Sequence, residues 1–154
     1  MAATGVDVRP GAGIGPIESR MTRQEAIAAA LADGLPTRDF RRGKAWKPDG
    51  PPDLLIADQL LAYFEDGDRV VEVEVAANGP HPVACLNLDL AASYAEIRLA
   101  MQAIARADET DPEFPSGCAF PEIGLYLWSE AEDEEPVQAI LVRAPDHHAF
   151  DGLD

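Results

Sequence analysis

Glu72 and Glu74, two residues apart in the valine-rich run Arg69–Val75, are the pair whose spacing best imitates an acid–base dyad. In a strand such residues share a face. General acid–base chemistry further requires two environments that push the carboxyl pKa values apart. Here Val71, Val73 and Val75 are expected to face a core and the glutamates water or a partner, with no sign of a pocket. The pair therefore reads as a binding surface rather than a dyad. His147 and His148 stand beside Asp146 and Asp151, but adjacent side chains of an extended segment point apart and the spacing matches no zinc signature. Asp66, Asp68, Asp108, Asp111 and Glu113 are calcium-ligand types without the loop that would close around the ion. Gly11, Gly13 and Gly15 lie close together, yet no Lys-Ser/Thr follows at phosphate-loop spacing, and no serine sits in a nucleophile elbow. His81 lies alone between two prolines. These residues lead to the expectation of a protein that is not an enzyme and holds no metal or cofactor.

The remaining chemistry belongs to recognition. Tyr126 and Trp128 alternate with Leu125 and Leu127, which brings two aromatics to one face of a strand. Glu130, Glu132, Asp133 and Glu134 follow as a dense acidic tip. Together with Glu72 and Glu74, these six residues form the expected partner-binding set, with aromatic anchors beside negative charge.

The charge is uneven along the chain. Residues 1–50 carry eight Lys/Arg and six Asp/Glu, a net of +2, whereas residues 51–154 carry four and 22, a net of −18. Such a field repels nucleic acid and anionic membranes and steers basic proteins inward. The basic stretch Arg38, Arg41, Arg42, Lys44 and Lys47, with Phe40 and Trp46, is expected to pair internally with the acidic half. Cys85 and Cys118 are too few for a disulfide scaffold. Cys85 is expected as a buried thiol and Cys118 as a more accessible loop residue, with a bridge between them left open. No apolar run is long enough to span a membrane and no signal peptide is evident, so a cytoplasmic location is expected.

The elements that must position these residues recur. Thr22-Arg23-Gln24-Glu25 and Ser93-Tyr94-Ala95-Glu96 are capping boxes, 71 residues apart, each opening a helix. The first is expected to end near Ala32, with Ile27 and Leu31 on its apolar stripe. The second is expected to end near Ala105 and to use Ile97, Leu99, Met101 and Ile104. Short strands are expected at Gly13–Ile17 and Val83–Leu88 before the helices. After them come Leu54–Ala57, Leu60–Phe64, Arg69–Val75, Ile123–Trp128 and Val137–Val142. Glu65-Asp66-Gly67-Asp68 carries the Asp-Gly signal of a hairpin. The expected fold is α+β, a tandem βαββ pseudo-repeat (about 12–77 and 82–144) forming an antiparallel-rich sheet with two helices on one face. Residues 145–154 are expected as an irregular tail. A chain of 154 residues suits one domain, burying roughly 70% of its unfolded surface.

Gly13-Ile14-Gly15-Pro16-Ile17 followed by Met21-Thr22-Arg23-Gln24-Glu25-Ala26 resembles the opening of small bacterial immunity-like proteins of polymorphic toxin systems. Tyr63-Phe64 and Leu125–Trp128 are similar to later parts of that pattern. The chain departs from it at Arg20, where Gly is usual, and by the basic insert around residues 38–53. The resemblance implies an antidote that binds and blocks a basic toxin, perhaps a nuclease, with no catalytic residue to carry over. A DNA-mimicking regulator and a small-molecule binding module are the alternatives.

Overall fold

The computed structural model describes residues 6–40, 52–65, 68–86, 88, 90, 92–110, 117–129 and 137–143. Eleven strands and two α-helices follow in the order β1 (Val6–Arg9), β2 (Gly13–Ile14), β3 (Ile17–Glu18), α1 (Arg23–Ala32), β4 (Thr37–Phe40), β5 (Asp53–Ile56), β6 (Leu60–Glu65), β7 (Arg69–Ala76), β8 (Val83–Cys85), α2 (Tyr94–Gln102), β9 (Gly117–Phe120), β10 (Leu125–Trp128) and β11 (Ala139–Val142). The fold is α+β, as expected, with a sheet-rich core.

The strands form two sheets. The larger is a seven-stranded antiparallel sheet in the order β4-β5-β6-β7-β11-β10-β9. Its register aligns two cross-strand rows of apolar side chains. One is Ile56, Leu60, Val75, Ile140, Leu127 and Cys118, and the other is Leu54, Ala62, Val73, Val142, Leu125 and Phe120. All twelve are buried. The second sheet, β3-β2-β1-β8, contains the parallel pair β1–β8 and contributes Val6, Val8, Ile14 and Ile17 to the same core cluster. Each sheet therefore takes strands from both halves of the chain. Among the described residues five strands (β4–β8) lie between α1 and α2, and three follow α2.

Local chemistry explains the elements. The first capping box is complete: Glu25 N–H donates to Thr22 Oγ1 (3.2 Å) and Thr22 N–H to Glu25 Oε1 (3.0 Å). The Thr22 backbone N–H, and then its hydroxyl, hold the Glu25 carboxyl below its usual pKa. In the second helix Ser93 accepts from Glu96 N–H at 3.3 Å. The residues ahead of α1 lie against β7, with Arg20 N–H donating to the Val70 carbonyl and Val70 N–H to the Met21 carbonyl. The helix so held packs close, and it is Ala26 and Ala30 that are buried, while Leu31 is exposed and Ile27 only partly covered. On α2 the inward stripe is Tyr94, Ile97 and Met101, and the expected core residues Leu99 and Ile104 face outward. That helix ends at Gln102 rather than near Ala105, because the chain tightens there, with Ile104 N–H donating to the Met101 carbonyl three residues back.

Other expectations are corrected. Gly13–Ile17 is not one strand but a hairpin of two, turning at Gly15 with φ +58°, where Pro16 follows. A Cβ on Gly13 would lie 2.1 Å from the Ile17 carbonyl oxygen, so the hairpin closes only on glycine. Cys118 is not in a loop: it lies in β9, fully buried, and no disulfide joins it to the buried Cys85. Strands β1, β4 and β9 were not anticipated.

Candidate functional site

The expected binding set centres on the face of the large sheet opposite the two buried rows. Between those rows, and pointing the other way, runs a third row: Arg38, Leu55, Leu61, Glu74, Leu141, Tyr126 and Ala119. Glu72 lies on this face opposite Tyr63, and Trp128 lies opposite Ala139. Strand parity thus brings Glu72, Glu74, Tyr126 and Trp128 to one face.

Their exposure departs from expectation. Glu72 is only 6% and Tyr126 only 7% exposed, so neither projects into water. A bulge lies beside Glu72. Tyr63 pairs with Glu72 but Phe64 with Val70, so Val71 is the extra residue and Val70 takes the core position expected of Val71. The charge of Glu72 is tolerated because Arg143, 71 residues later, donates from Nη2 to Glu72 Oε2 at 3.2 Å, with both side chains buried. Glu74 is half-buried between Leu61 and Leu141 and accepts a 3.1 Å bond from the Tyr63 hydroxyl. Burial and the nearby Glu74 charge raise the Tyr63 pKa well above its ordinary range, so the phenol stays a neutral donor. Trp128 is half-buried. Glu130, Glu132, Asp133 and Glu134 lie outside the described residues, as do His147, His148, Asp66, Asp111, Glu113 and the basic residues 41–47.

This cluster is held together by the Arg143–Glu72 ion pair and the Tyr63–Glu74 hydrogen bond. Burial pushes the Cys85 thiol up to about 11, away from the reactive thiolate. Among the described residues no group of three or more His, Cys, Asp or Glu could hold a metal ion. Asp68 and Asp108, once compared with calcium ligands, are engaged otherwise. Asp68 pairs with Arg23 (3.0 Å), and Asp108 accepts from Thr110 N–H (3.0 Å). No helix among the described residues is long and apolar enough to cross a membrane.

Two side chains that organise the molecule were not among the expected site residues. Arg23, the first residue of α1, reaches four separate parts of the chain. Its Nε and Nη2 bond Asp68, Nη2 also donates to the Pro52 carbonyl (2.7 Å), its charge sits 4.0 Å from the Phe64 ring centroid, and Asp39 lies 3.8 Å away. Gln59 is buried and its amide is used in full, donating to the Ala76 and His81 carbonyls (both 2.9 Å) and accepting from His81 N–H (2.8 Å). A Cβ on Gly79 would come within 2.3 Å of that amide carbon. The only signal for either residue is its type: an Arg at a helix start, where its charge opposes the helix dipole, has to be held by something else.

Comparisons of the chain with protein-family models, with curated proteins and with solved structures found no match.

Proposed function

We propose that this chain is a non-enzymatic binding protein that captures a basic protein and blocks it. The resemblance of residues 13–26 to immunity-like proteins makes an antidote to a basic toxin the specific form of that reading. One observation carries it: a net charge of −18 is concentrated in residues 51–154 of a sheet-rich domain. Charge of that size and sign accelerates encounter with a cationic surface and disfavours nucleic acid and anionic lipid. The half-buried Trp128 and Glu74 support the reading, because an aromatic edge and a carboxylate set among leucines suit the rim of a contact. Glu72 and Tyr126 are removed from the contact set by their burial and act in holding the sheet face. In this reading the protein works in the cytoplasm and needs no cofactor.

The test is a pull-down from lysate of the source cell at low and high salt, with mass spectrometry of the retained proteins. The reading expects one basic protein, held at low salt and weakened at high salt, whose toxicity in cells is suppressed by co-expression of this chain. Retention of a basic protein whose activity is untouched refutes the blocking role. Retention of nothing refutes capture of a basic protein and moves the assignment to a small ligand.

A further inference from the structure

We infer that the cleft between the C-terminal end of α2 and the 3₁₀ turn at Pro121–Ile123 is the docking groove for a cationic, apolar segment of the basic partner. The inference rests on the binding reading above and places the contact away from the sheet face. The cleft is open, about 860 Å³, and is formed by residues 102–110 with Pro121 and Glu122. That volume is within the range of ligand and peptide clefts, about 300–1,000 Å³.

Its chemistry is two-sided. Ala103, Ala105 and Ala107 are small, and Ile104 is 58% exposed. Leu99, 64% exposed and five residues earlier on α2, lies outside the cleft lining, so Ile104 is the cleft's own exposed large apolar side chain among the described residues. Among the described lining residues, Asp108, Glu109 and Glu122 stand against one base, Arg106. The last turn of α2 carries no basic residue, so its carbonyl end adds negative partial charge. An apolar strip ringed by negative charge complements a segment that mixes Lys or Arg with aliphatic side chains. A second copy of this chain is disfavoured as the occupant, because each copy carries −16. Nucleic acid is disfavoured by the same sign.

The probe is a short synthetic peptide alternating lysine and leucine, titrated into the isotope-labelled full chain and followed by NMR, with a glutamate–leucine peptide as control. The inference expects saturable shifts centred on residues 99–110 and 121–122, absent with the control peptide. Ile104→Ser combined with Glu122→Lys should weaken binding about tenfold, as the loss of one anchor and one charge contact does, while leaving thermal unfolding unchanged because both side chains are exposed. Unsaturable shifts spread over the acidic surface, or equal binding by the double variant, overturn the groove. The pull-down separates the two claims. A basic protein retained equally by wild type and double variant overturns the groove and leaves the antidote reading standing. Saturable peptide binding with no basic protein retained supports the groove and overturns the antidote.

Discussion

Arg23→Ala is the substitution that most directly probes how α1 is joined to the large sheet. The paired Asp68 carboxylate is half-exposed, so that ion pair contributes only about 0.5–1 kcal/mol. The bond to the Pro52 carbonyl has a charged donor in a part-buried setting and contributes about 1.5–3 kcal/mol. The guanidinium over Phe64 adds about 0.5–2 kcal/mol. Against these, removing a positive charge from a helix start returns about 0.5 kcal/mol. The net expectation is a loss of about 3 kcal/mol, measured by urea unfolding with linear extrapolation. Most of that loss should survive in high salt and in an Asp68→Ala background, since the carbonyl bond and the ring contact do not involve Asp68. In a double-mutant cycle the Arg23–Asp68 coupling should therefore stay near 1 kcal/mol or below. A coupling equal to the whole Arg23→Ala effect, or an effect abolished by salt, would refute the ranking and make the salt bridge the clasp.

Three further outcomes are expected. Gln59→Ala strands the Ala76 and His81 carbonyls and the His81 N–H, and should cost about 2–3 kcal/mol in urea unfolding. Gly79→Ala should not relieve that loss, although it fills the same space. Cys85, raised to about 11 when folded from an ordinary value near 9, favours the protonated thiol in the native state. Its contribution to stability is full below pH 9 and disappears as pH rises from 9 to 11, so alkaline unfolding should steepen in that window and lose the extra slope in Cys85→Ala. Charge reversal at Glu130, Glu132, Asp133 and Glu134 together should slow association with the captured basic partner in stopped-flow at low salt, with little change in dissociation. Unchanged association would remove the acidic tip from the encounter.

Local signals in the sequence were legible and long-range ones were not. Thr22 and Ser93 mark their helix starts because a hydroxyl three residues before a Glu is a complete local instruction. The valine alternation around residue 73 and the Leu125–Trp128 and Ile140–Val142 runs are likewise local, and they become β7, β10 and β11. Strand β1 was visible as Val6 and Val8 alternating with Asp7 and Arg9, but its short length and its parallel partner β8 concealed it. Strand β4, Thr-Arg-Asp-Phe, has no apolar alternation and exists by pairing with β5. On α1 the larger Ile27 and Leu31 were the natural choice for the buried stripe, yet Ala26 and Ala30 are the residues fully buried, on a helix whose entry is tied to Val70 through Arg20 and Met21. The burial of Glu72 depends on Arg143, a partner that no periodicity identifies.

The place of β11 in the large sheet constrains how the protein can be made. It is the last strand in chain order among the described residues, yet it sits between β7 and β10 and joins β4–β7 to β9–β10. On a ribosome, two separate antiparallel ribbons can form first, each with an edge that the finished sheet pairs: β7 on one and β10 on the other. Both edges carry buried apolar residues, Val70, Val73 and Val75 on β7 and Leu125 and Leu127 on β10, and such unpaired edges recruit strands from other chains. Only the arrival of residues 139–142 seals them, so the sheet is completed by a late, non-local step that slows folding. A nascent chain stalled before residue 139 is thus the species most exposed to aggregation, and an acidic chain in which like charges repel one another is well suited to crossing that interval.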